Sequence, residues 1–470
     1  MTALLSMVNN RAKVPVALIP SYASVAFLPY PWKALYGWLS KCLSRISPEH
    51  QLAGLLLLSA LTYNATDLLI PPDGVVMCFV IAFLRSFFAA WPEFLLFAQL
   101  LDEAQASGLD GASVLYQSQA ATTRTIGSLS ADILSLILYA SCSSRVADAA
   151  TLHLSALGNV VAAIVAWRCW RNAPQQQIPN EEEEPVEDPV GDSAAVDLAQ
   201  EEDQVVRVEE STSETMFPLC MFVLQITVVL YALKEPIISE TSQLGWDFLV
   251  MFSLLGLASL VYFQNNSGSY ETRVGVFLIL RHSVPSVSYL VDTYLFQVFN
   301  SMSKAYMMPL LSILSMMVSA LASWSFGRFF RPFGSSHRGI MWILGGTKIL
   351  SFVTLLATSR LISFLHSETA WQVVGAAIVL DLVLGYTDEF KFLPSLVLAT
   401  NESNGDHLQY GALLSCIDVG DQIGALLLAP MVGIWAASGS SSSYDHLDDL
   451  QVMQAILTLA SVCFLLLLRK

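Results

Sequence analysis

The chain has 470 residues, of which 54% are hydrophobic and 13% are charged, and its formal net charge is −16. Soluble domains carry about 25% charged residues, so this composition leaves too few polar side chains to cover a water-exposed surface. It excludes an ordinary soluble protein and favours one whose surface faces hydrocarbon.

Thirteen apolar segments are long enough to be membrane helices, because about 20 residues cross the hydrocarbon core. In chain order they cover 14–37, 51–69, 74–102, 118–142, 146–170, 216–235, 243–263, 273–299, 305–326, 339–365, 370–392, 408–437 and 450–468. Either segment of the pair within 216–264 could lie along the membrane interface instead of crossing it. The sequence therefore predicts an all-α polytopic membrane protein with about 11–13 transmembrane helices.

An acidic segment interrupts this pattern after the fifth apolar run. Between 173 and 214 there are fourteen Asp and Glu residues, four prolines and a single basic residue, Arg207. Such a composition cannot bury enough apolar area to fold, so it predicts a disordered cytosolic linker at 172–215. The alternative is that this acidic segment docks a basic partner. The linker separates an N-terminal half at 1–171 from two additional helices at 216–264 and a six-helix half at 265–470.

Basic residues indicate the orientation, because positively charged loops stay on the cytoplasmic side. With the helices alternating in direction, most loop arginines and lysines fall on one side of the membrane, and the opposite loops at 70–73, 366–369 and 438–449 have none. The C-terminus is therefore predicted to be cytoplasmic. Whether the protein resides in the plasma membrane or in an organelle envelope such as that of a plastid stays open.

The sequence lacks the motifs of the common enzyme and metal classes. Its seven cysteines are scattered without a CxxC pair, which argues against a disulfide framework or a zinc site. There is no H-E-x-x-H or G-x-S-x-G motif. We therefore expect no enzyme, no cofactor, no metal and no nucleic-acid partner; the expected partners are the lipid bilayer and a small solute.

Four stretches resemble the folate-biopterin transporter family, a branch of the major facilitator superfamily. The first, at 28–40, reads L-P-Y-P-W-K-A-L-Y-G-W-L-S, and Lys33 stands in the family's K-P-L-Y-G motif. The second contains Glu93 and Asp102, then Gln117 in an L-Q-S-like stretch and Arg124 in R-x-x-G-S. The others are Pro285-Ser286, like A-T-P-S, and 392–420, where Asp418 replaces an asparagine.

This resemblance implies a major-facilitator-like bundle of two halves that carries folates, pterins or related organic anions. The first helix of the usual six is missing from the N-terminal half, or lies in an upstream reading frame. The arginines of the usual gating turn are absent at 47–50. A similar turn at 327–332 keeps Arg328 and Arg331, so we expect Lys33, Arg328 and Arg331 in gating; positive-inside anchoring is the alternative for the two arginines.

Ionisable residues within spans are costly and usually face a cavity or one another. Arg281 suits an anionic substrate, because guanidinium binds carboxylates in a bidentate manner. The remaining candidates for substrate binding are Arg85, Glu93, Gln117 and Arg124. Arg85 and Glu93 lie on one helix face and could instead pair with each other, or with Arg124 and Asp132.

A second group of mid-span residues could bind protons if transport is proton-coupled. His282 titrates near neutral pH unless it is only a hydrogen-bonding group. Carboxylates buried in the membrane favour protonation. The candidates are Asp102, His282, Asp292, Asp381 and Asp418. In contrast, Glu389 and Lys391 are interpreted as marking the membrane exit of the segment 370–392.

The function favoured by the sequence is secondary active transport of a small organic anion, of the folate or pterin class, by alternating access around a site at mid-membrane. The alternative is a degenerate, non-transporting relative that acts as a membrane receptor or scaffold. The missing first helix, the lost gating arginines and Phe97 in place of an acid favour that alternative.

Overall fold

A computed structural model describes most of the chain. The described residues are 26–43, 45–71, 74–107, 109, 111–171, 254, 256, 269–287, 291, 295, 299, 307–334, 336–365, 370–403, 405–436 and 447–469. Their regular structure is entirely helical, with no strand in these ranges. The predicted all-α class is therefore confirmed.

The helices before the linker form the N-terminal half. They are α1 (Lys33–Cys42), α2 (Pro48–Leu69), α3 (Val75–Ala106), α4 (Ala112–Ser141) and α5 (Ser144–Arg171), and a 3-10 turn at Tyr30–Trp32 leads into α1. Pro48 begins α2, a position that needs no backbone N–H donor. Four predicted spans match α2–α5 within a few residues, whereas the first predicted span ends too early, because α1 continues to Cys42.

The helices after the linker form the C-terminal half. They are α6 (Ser269–His282), α7 (Met307–Phe330), α8 (His337–Leu365), α9 (Ala370–Glu402), α10 (His407–Ala436) and α11 (Leu447–Ala460), which continues as a 3-10 helix at Ser461–Leu468. Within this half α8 packs against α9 and α11, and α6 packs against α10. Two packed helical halves are therefore present.

Six helices in the described part of the chain are long and apolar enough to cross a membrane. They cover Pro48–Leu69, Val75–Ala106, Arg145–Arg168, Met307–Phe333, His337–Leu361 and Leu447–Leu468. The helices α4, α9 and α10 have 30, 33 and 30 residues. At ~1.5 Å per residue each of these is also longer than the ~30 Å hydrocarbon core.

Large apolar side chains cover the outside of these helices. Leu68, Trp342 and Leu466 are 72%, 80% and 74% exposed. In water such a surface would drive aggregation, but in a bilayer it matches the surrounding hydrocarbon. The chain is therefore an integral membrane protein.

Proline has different effects in α6 and α9. The prediction that a span ends at 392 was wrong, because α9 continues through Pro394 to Glu402. A proline removes one backbone hydrogen bond, which neighbouring helices in a membrane bundle can tolerate. In contrast, α6 ends at His282, shortly before Pro285. The consequence is that Glu389 lies in mid-helix and not at the membrane exit.

The loops that join the helices at one end of the bundle contact each other closely. His337 Nε2 lies 2.9 Å from the Leu468 carbonyl oxygen, and the Asn401 side chain donates to the Gly334 carbonyl at 3.1 Å. This end contains the loops at 43–47, 107–111, 331–336 and 403–406. We call it the basic end, because the arginines that were predicted to be cytoplasmic lie there.

The two halves meet along two pairs of helices. In one pair α4 lies along α7, and in the other α1 lies against α10. Gly327 of α7 directly faces Ser118 of α4, so that no side chain fits between them. A single buried apolar cluster, which includes Phe97, Phe326 and Leu413, joins both halves. The two halves are therefore packed closely against each other along these helices.

Parts of the predicted domain organisation lie outside the described residues. These are the acidic linker at 172–215, the predicted span at 216–235, all of 243–263 except Leu254 and Gly256, and the chain before residue 26. The disorder of the linker and the role of the two additional helices stay predictions.

Candidate functional site

Eleven ionisable side chains lie at nearly the same depth in the bundle. Counted from the basic end, Arg124, Glu389 and Asp418 are each about 12 residues along their helices. At ~1.5 Å per residue this is about 18 Å, near the middle of a membrane ~40 Å thick. We call this set the midplane charges: Lys33, Glu93, Arg124, Arg281, His282, Lys348, Asp388, Glu389, Lys391, Asp418 and Asp421.

One ion pair in this layer joins α1 to α10. Lys33 Nζ lies 2.7 Å from Asp418 Oδ2, and the two side chains are 5% and 15% exposed. The Lys33 ammonium also lies 5.9 Å from the centre of the Tyr30 ring. Such a short, enclosed pair holds the two halves together, because separating it leaves two uncompensated charges in a medium of low polarity.

A second, looser ion pair joins α4 to α9. Arg124 Nη2 lies 3.5 Å from Glu389 Oε1, and their side chains are 45% and 14% exposed. Ser323 of α7 donates to the other Glu389 oxygen at 3.5 Å. The guanidinium carbon of Arg124 lies 6.0 Å from the centre of the Phe392 ring. Arg124 is therefore a cation beside an aromatic ring with much of its surface accessible.

His282 makes two polar contacts within the C-terminal half. Its Nδ1 lies 3.0 Å from Asp421 Oδ1, and its Nε2 lies 2.9 Å from Ser395 Oγ. The His282 side chain is 2% exposed, whereas that of Asp421 is 45% exposed. The buried His282 imidazole therefore contacts a carboxylate that is itself accessible.

Arg281 is enclosed within the C-terminal half. Its guanidinium donates to the Leu344 carbonyl at 3.0 Å, to Thr347 Oγ1 at 3.2 Å and to the Lys391 carbonyl at 3.4 Å. The residue is 1% exposed, and no carboxylate pairs with it among the described residues. In this conformation Arg281 does not reach a substrate without exchanging these partners.

Lys348 caps the broken end of α6. Pro285 has no N–H, so it cannot donate the bond that a continuing helix would give to the Arg281 carbonyl. Lys348 Nζ donates to that carbonyl instead, at 2.8 Å, and the Gln454 side chain accepts from the Val287 N–H at 3.0 Å. Two polar side chains thus satisfy the backbone groups that the break exposes.

The polar residues predicted on α3 lie apart from one another. Arg85 stacks on the Tyr63 ring at 5.8 Å. Glu93 has neither an ion pair nor a side-chain hydrogen bond among the described residues. Arg124 pairs with Glu389, and Asp132 accepts a hydrogen bond from Ser312 at 2.6 Å. The pairings considered for Arg85 and Glu93 are therefore absent from the described part of the chain.

Two of the predicted residues lie at the basic end, where they join the halves. Asp102 Oδ1 lies 2.6 Å from His407 Nε2. The Gln117 side chain donates to Tyr410 at 2.9 Å and to Thr400 at 3.1 Å. An open cleft of about 340 Å³ beside the Asp102–His407 pair contains none of the midplane charges. These contacts form a closure between the midplane charges and the basic end.

The remaining predicted residues lie away from the midplane charges. Arg328 lies in the last turn of α7, and Arg331 follows in the short 3-10 turn at the basic end, where the Arg331 carbonyl contacts Gly111. Asp381 lies in the first half of α9. Asp292 lies outside the described residues.

The sequence did not identify Glu389 or His407 as partners in these contacts. Their partners Arg124 and Asp102 come from the other half of the chain, so no local spacing relates them. In the sequence, Glu389 is marked by its position between two apolar stretches. That position indicates the interior of a membrane helix only because α9 continues beyond Pro394.

Similar solved structures are transporters of the major facilitator superfamily. The nucleoside transporter NupG is 15% identical, with a TM-score of 0.56 over 100% of this chain and 95% of that chain. The human organic anion transporter MFSD10 is 13% identical, with a TM-score of 0.51 over 97% and 86%. The proton:xylose symporter XylE is 10% identical, with a TM-score of 0.55 over 98% and 91%. No protein-family model and no curated protein matches the sequence.

These likenesses define the class of the fold. The chain has the major facilitator fold, in which two helical halves pack face to face within a membrane. The resemblance to the folate-biopterin branch is not confirmed by the comparisons and stays a prediction.

Proposed function

We propose that the protein is a secondary carrier for a small organic anion. The main support for this proposal is the position of Arg124. This cation is 45% exposed and lies near the membrane midplane. It stands between the two halves of a fold shared with known transporters. Charged groups at this depth are costly and are retained where they bind a polar solute or an ion. Arg124 is the side chain we propose to bind the anion.

The substrate class we propose is that of folates, pterins or related organic anions. The resemblance in the sequence motifs points to this class, and the site chemistry agrees with it. Arg124 can grip a carboxylate through two parallel N–H donors. The neighbouring Phe392 ring offers a flat apolar surface on which an aromatic heterocycle can stack.

Transport would proceed by alternating access around the midplane charges. In the conformation described, the contacts Asp102–His407 and Gln117–Tyr410 join the halves at the basic end. Opening towards that side requires these contacts to separate. We propose that Lys33 and Asp418 act near the pivot, because their pair lies deeper than the closure and joins the same two halves.

Proton coupling is the energy source that we propose. Asp418 and Asp421 are carboxylates at the midplane, and Asp421 is joined to the imidazole of His282. Low polarity around a carboxylate favours its protonated form, so a proton can bind and leave during the cycle. Asp102 would contribute through the closure at the basic end.

Uptake into proteoliposomes tests the proposal. Purified protein would be assayed with labelled folate, pterin and a panel of small carboxylates, with and without an inward proton gradient. We expect Arg124→Ala to reduce uptake at least tenfold, since a charged hydrogen bond is lost, and Arg124→Lys to keep part of it. Arg338→Ala, an exposed arginine at the basic end, serves as the matched control and should transport normally.

Two outcomes would contradict the proposal. Normal uptake by Arg124→Ala would remove this arginine from the binding site. Failure of the wild-type protein to move any organic anion would favour the receptor or scaffold alternative. That alternative has one structural argument, because the short, enclosed Lys33–Asp418 pair could lock the halves in a single arrangement.

A further inference from the structure

The carboxylate of Glu389 occupies the place that an anionic substrate would need at Arg124. Their ion pair is long, at 3.5 Å, and Arg124 is 45% exposed, whereas the Lys33–Asp418 pair is 2.7 Å long with both partners enclosed. Among the described residues, the second Glu389 oxygen contacts only Ser323, at 3.5 Å. The Arg124–Glu389 pair is therefore the weaker and more accessible of these two midplane pairs.

Two charged groups act directly on Glu389 among the described residues. They are Arg124 on α4 and Asp388 on its own helix, whereas Lys391, Asp421 of α10 and Lys348 of α8 act on Asp388. The α7 helix contributes the uncharged Ser323. Asp388 has no hydrogen bond or ion pair among the described residues. A substrate carboxylate at Arg124 would therefore compete with Glu389 for the guanidinium and would lie close to a second acid, Asp388.

We propose that Glu389 is an internal competitor for the substrate, and that its protonation releases Arg124 to bind a substrate carboxylate. This inference rests on the proposed carrier function and names both the coupling residue and the substrate group. A neutral Glu389 no longer pairs with the guanidinium. The proton therefore determines when Arg124 is available.

The exchange balances in charge and atoms. A proton from the entry side binds a Glu389 oxygen, the ion pair to Arg124 separates, and the guanidinium binds the carboxylate of the substrate. On the exit side the substrate leaves, the proton dissociates, and Glu389 pairs with Arg124 again. One proton accompanies one carboxylate, so a monoanion is carried without net movement of charge.

Two transport assays distinguish a failure of this inference from a failure of the carrier proposal. Accumulation driven by a proton gradient requires coupling, whereas counterflow, the exchange of labelled for unlabelled substrate at equal pH, requires only binding and conformational change. Glu389→Gln mimics the protonated acid permanently. We expect this variant to retain counterflow and to lose gradient-driven accumulation at least tenfold.

An acid outside the midplane charges provides the matched control. Glu103→Gln removes an exposed carboxylate of α3 near the basic end, and we expect it to keep the dependence of accumulation on pH. Asp388→Asn neutralises the neighbouring acid and tests whether the proton site is Asp388 instead. Gradient-driven accumulation by Glu389→Gln at the wild-type level would overturn the inference. Loss of coupling in Asp388→Asn alone would also overturn it, by moving the proton site to Asp388. A wild-type protein without counterflow would refute the carrier proposal as well.

A measurement on the wild-type protein does not depend on whether a variant folds. In weakly buffered detergent solution, binding of a carboxylate substrate at a pH where Glu389 is ionised should take up about one proton per molecule bound, and the pH should rise. The methyl ester of the same substrate should not bind in this way. Binding of the carboxylate without proton uptake would contradict the inference.

Discussion

Lys33 and Asp418 come from opposite ends of the chain, and their pairing depends on α1 lying against α10. Breaking an enclosed ion pair by removing one partner leaves the other charge uncompensated, at a cost of about 3 kcal/mol or more. We expect Lys33→Met and Asp418→Asn each to lower the free energy of unfolding by about this amount. The double variant should be closer to the wild type than the sum of the two losses, as measured by thermal unfolding in detergent. Strictly additive losses would show that the two side chains are not coupled.

The sequence alone identified charged residues at mid-span but not their partners. It predicted Asp418, Arg124 and His282 as functional because charges within apolar runs are costly, and Lys33 because it stands in a motif that resembles a gating turn. It could not relate Arg124 to Glu389, since the two lie in different halves and meet only when α4, α7 and α9 pack together. Arg281 shows the opposite case. Its mid-span position suggested a cavity, whereas the three hydrogen bonds of its terminal guanidinium nitrogens all go to C-terminal helices.

At the scale of helices, α10 passes close to the broken end of α6. A Cβ atom at Gly420 would lie 2.6 Å from the Ile279 carbonyl oxygen and 2.7 Å from the His282 Cβ. Gly→Ala in a helix is normally favourable, but here the methyl group meets rigid backbone. We expect Gly420→Ala to destabilise the protein by about 1–3 kcal/mol, through displacement of α10 from α6.

The matched control for this prediction is Gly346→Ala in α8, where no other helix or side chain approaches within 4 Å of the added methyl group. This variant should unfold at the wild-type temperature or slightly above it. Thermal unfolding of both variants in detergent provides the comparison. Equal stability of Gly420→Ala and the wild type would mean that α6 and α10 are not in close contact.

The sequence predicts where most helices occur, but it predicts their ends less accurately. Apolar runs of lipid length predicted α2–α5 and α7–α11 within a few residues, apart from the far end of α9. The end of α9 was placed ten residues early, because the run of polar residues at 388–391 resembles a membrane exit. In the structure these polar groups face other midplane charges, which allows the helix to continue past them.

For the whole molecule, we propose that the two halves move around the midplane charges while the closure at the basic end forms and opens. Asp102 of α3 and His407 of α10 contact each other across that closure, at a distance of 2.6 Å. Both side chains are substantially exposed, so cysteines at these positions can be reached by reagents. Cys42 is also exposed and must be replaced beforehand, as must the other native cysteines.

Cross-linking across this closure tests whether transport requires the closure to open. Asp102→Cys and His407→Cys would be combined in a cysteine-free background and joined with a short, cleavable bifunctional thiol reagent, which avoids the strict geometry of a disulfide. Each single cysteine variant, treated in the same way, is the control. We predict that joining the two residues stops transport in proteoliposomes and that cleavage of the linker restores it. Full transport by the cross-linked protein would contradict the account.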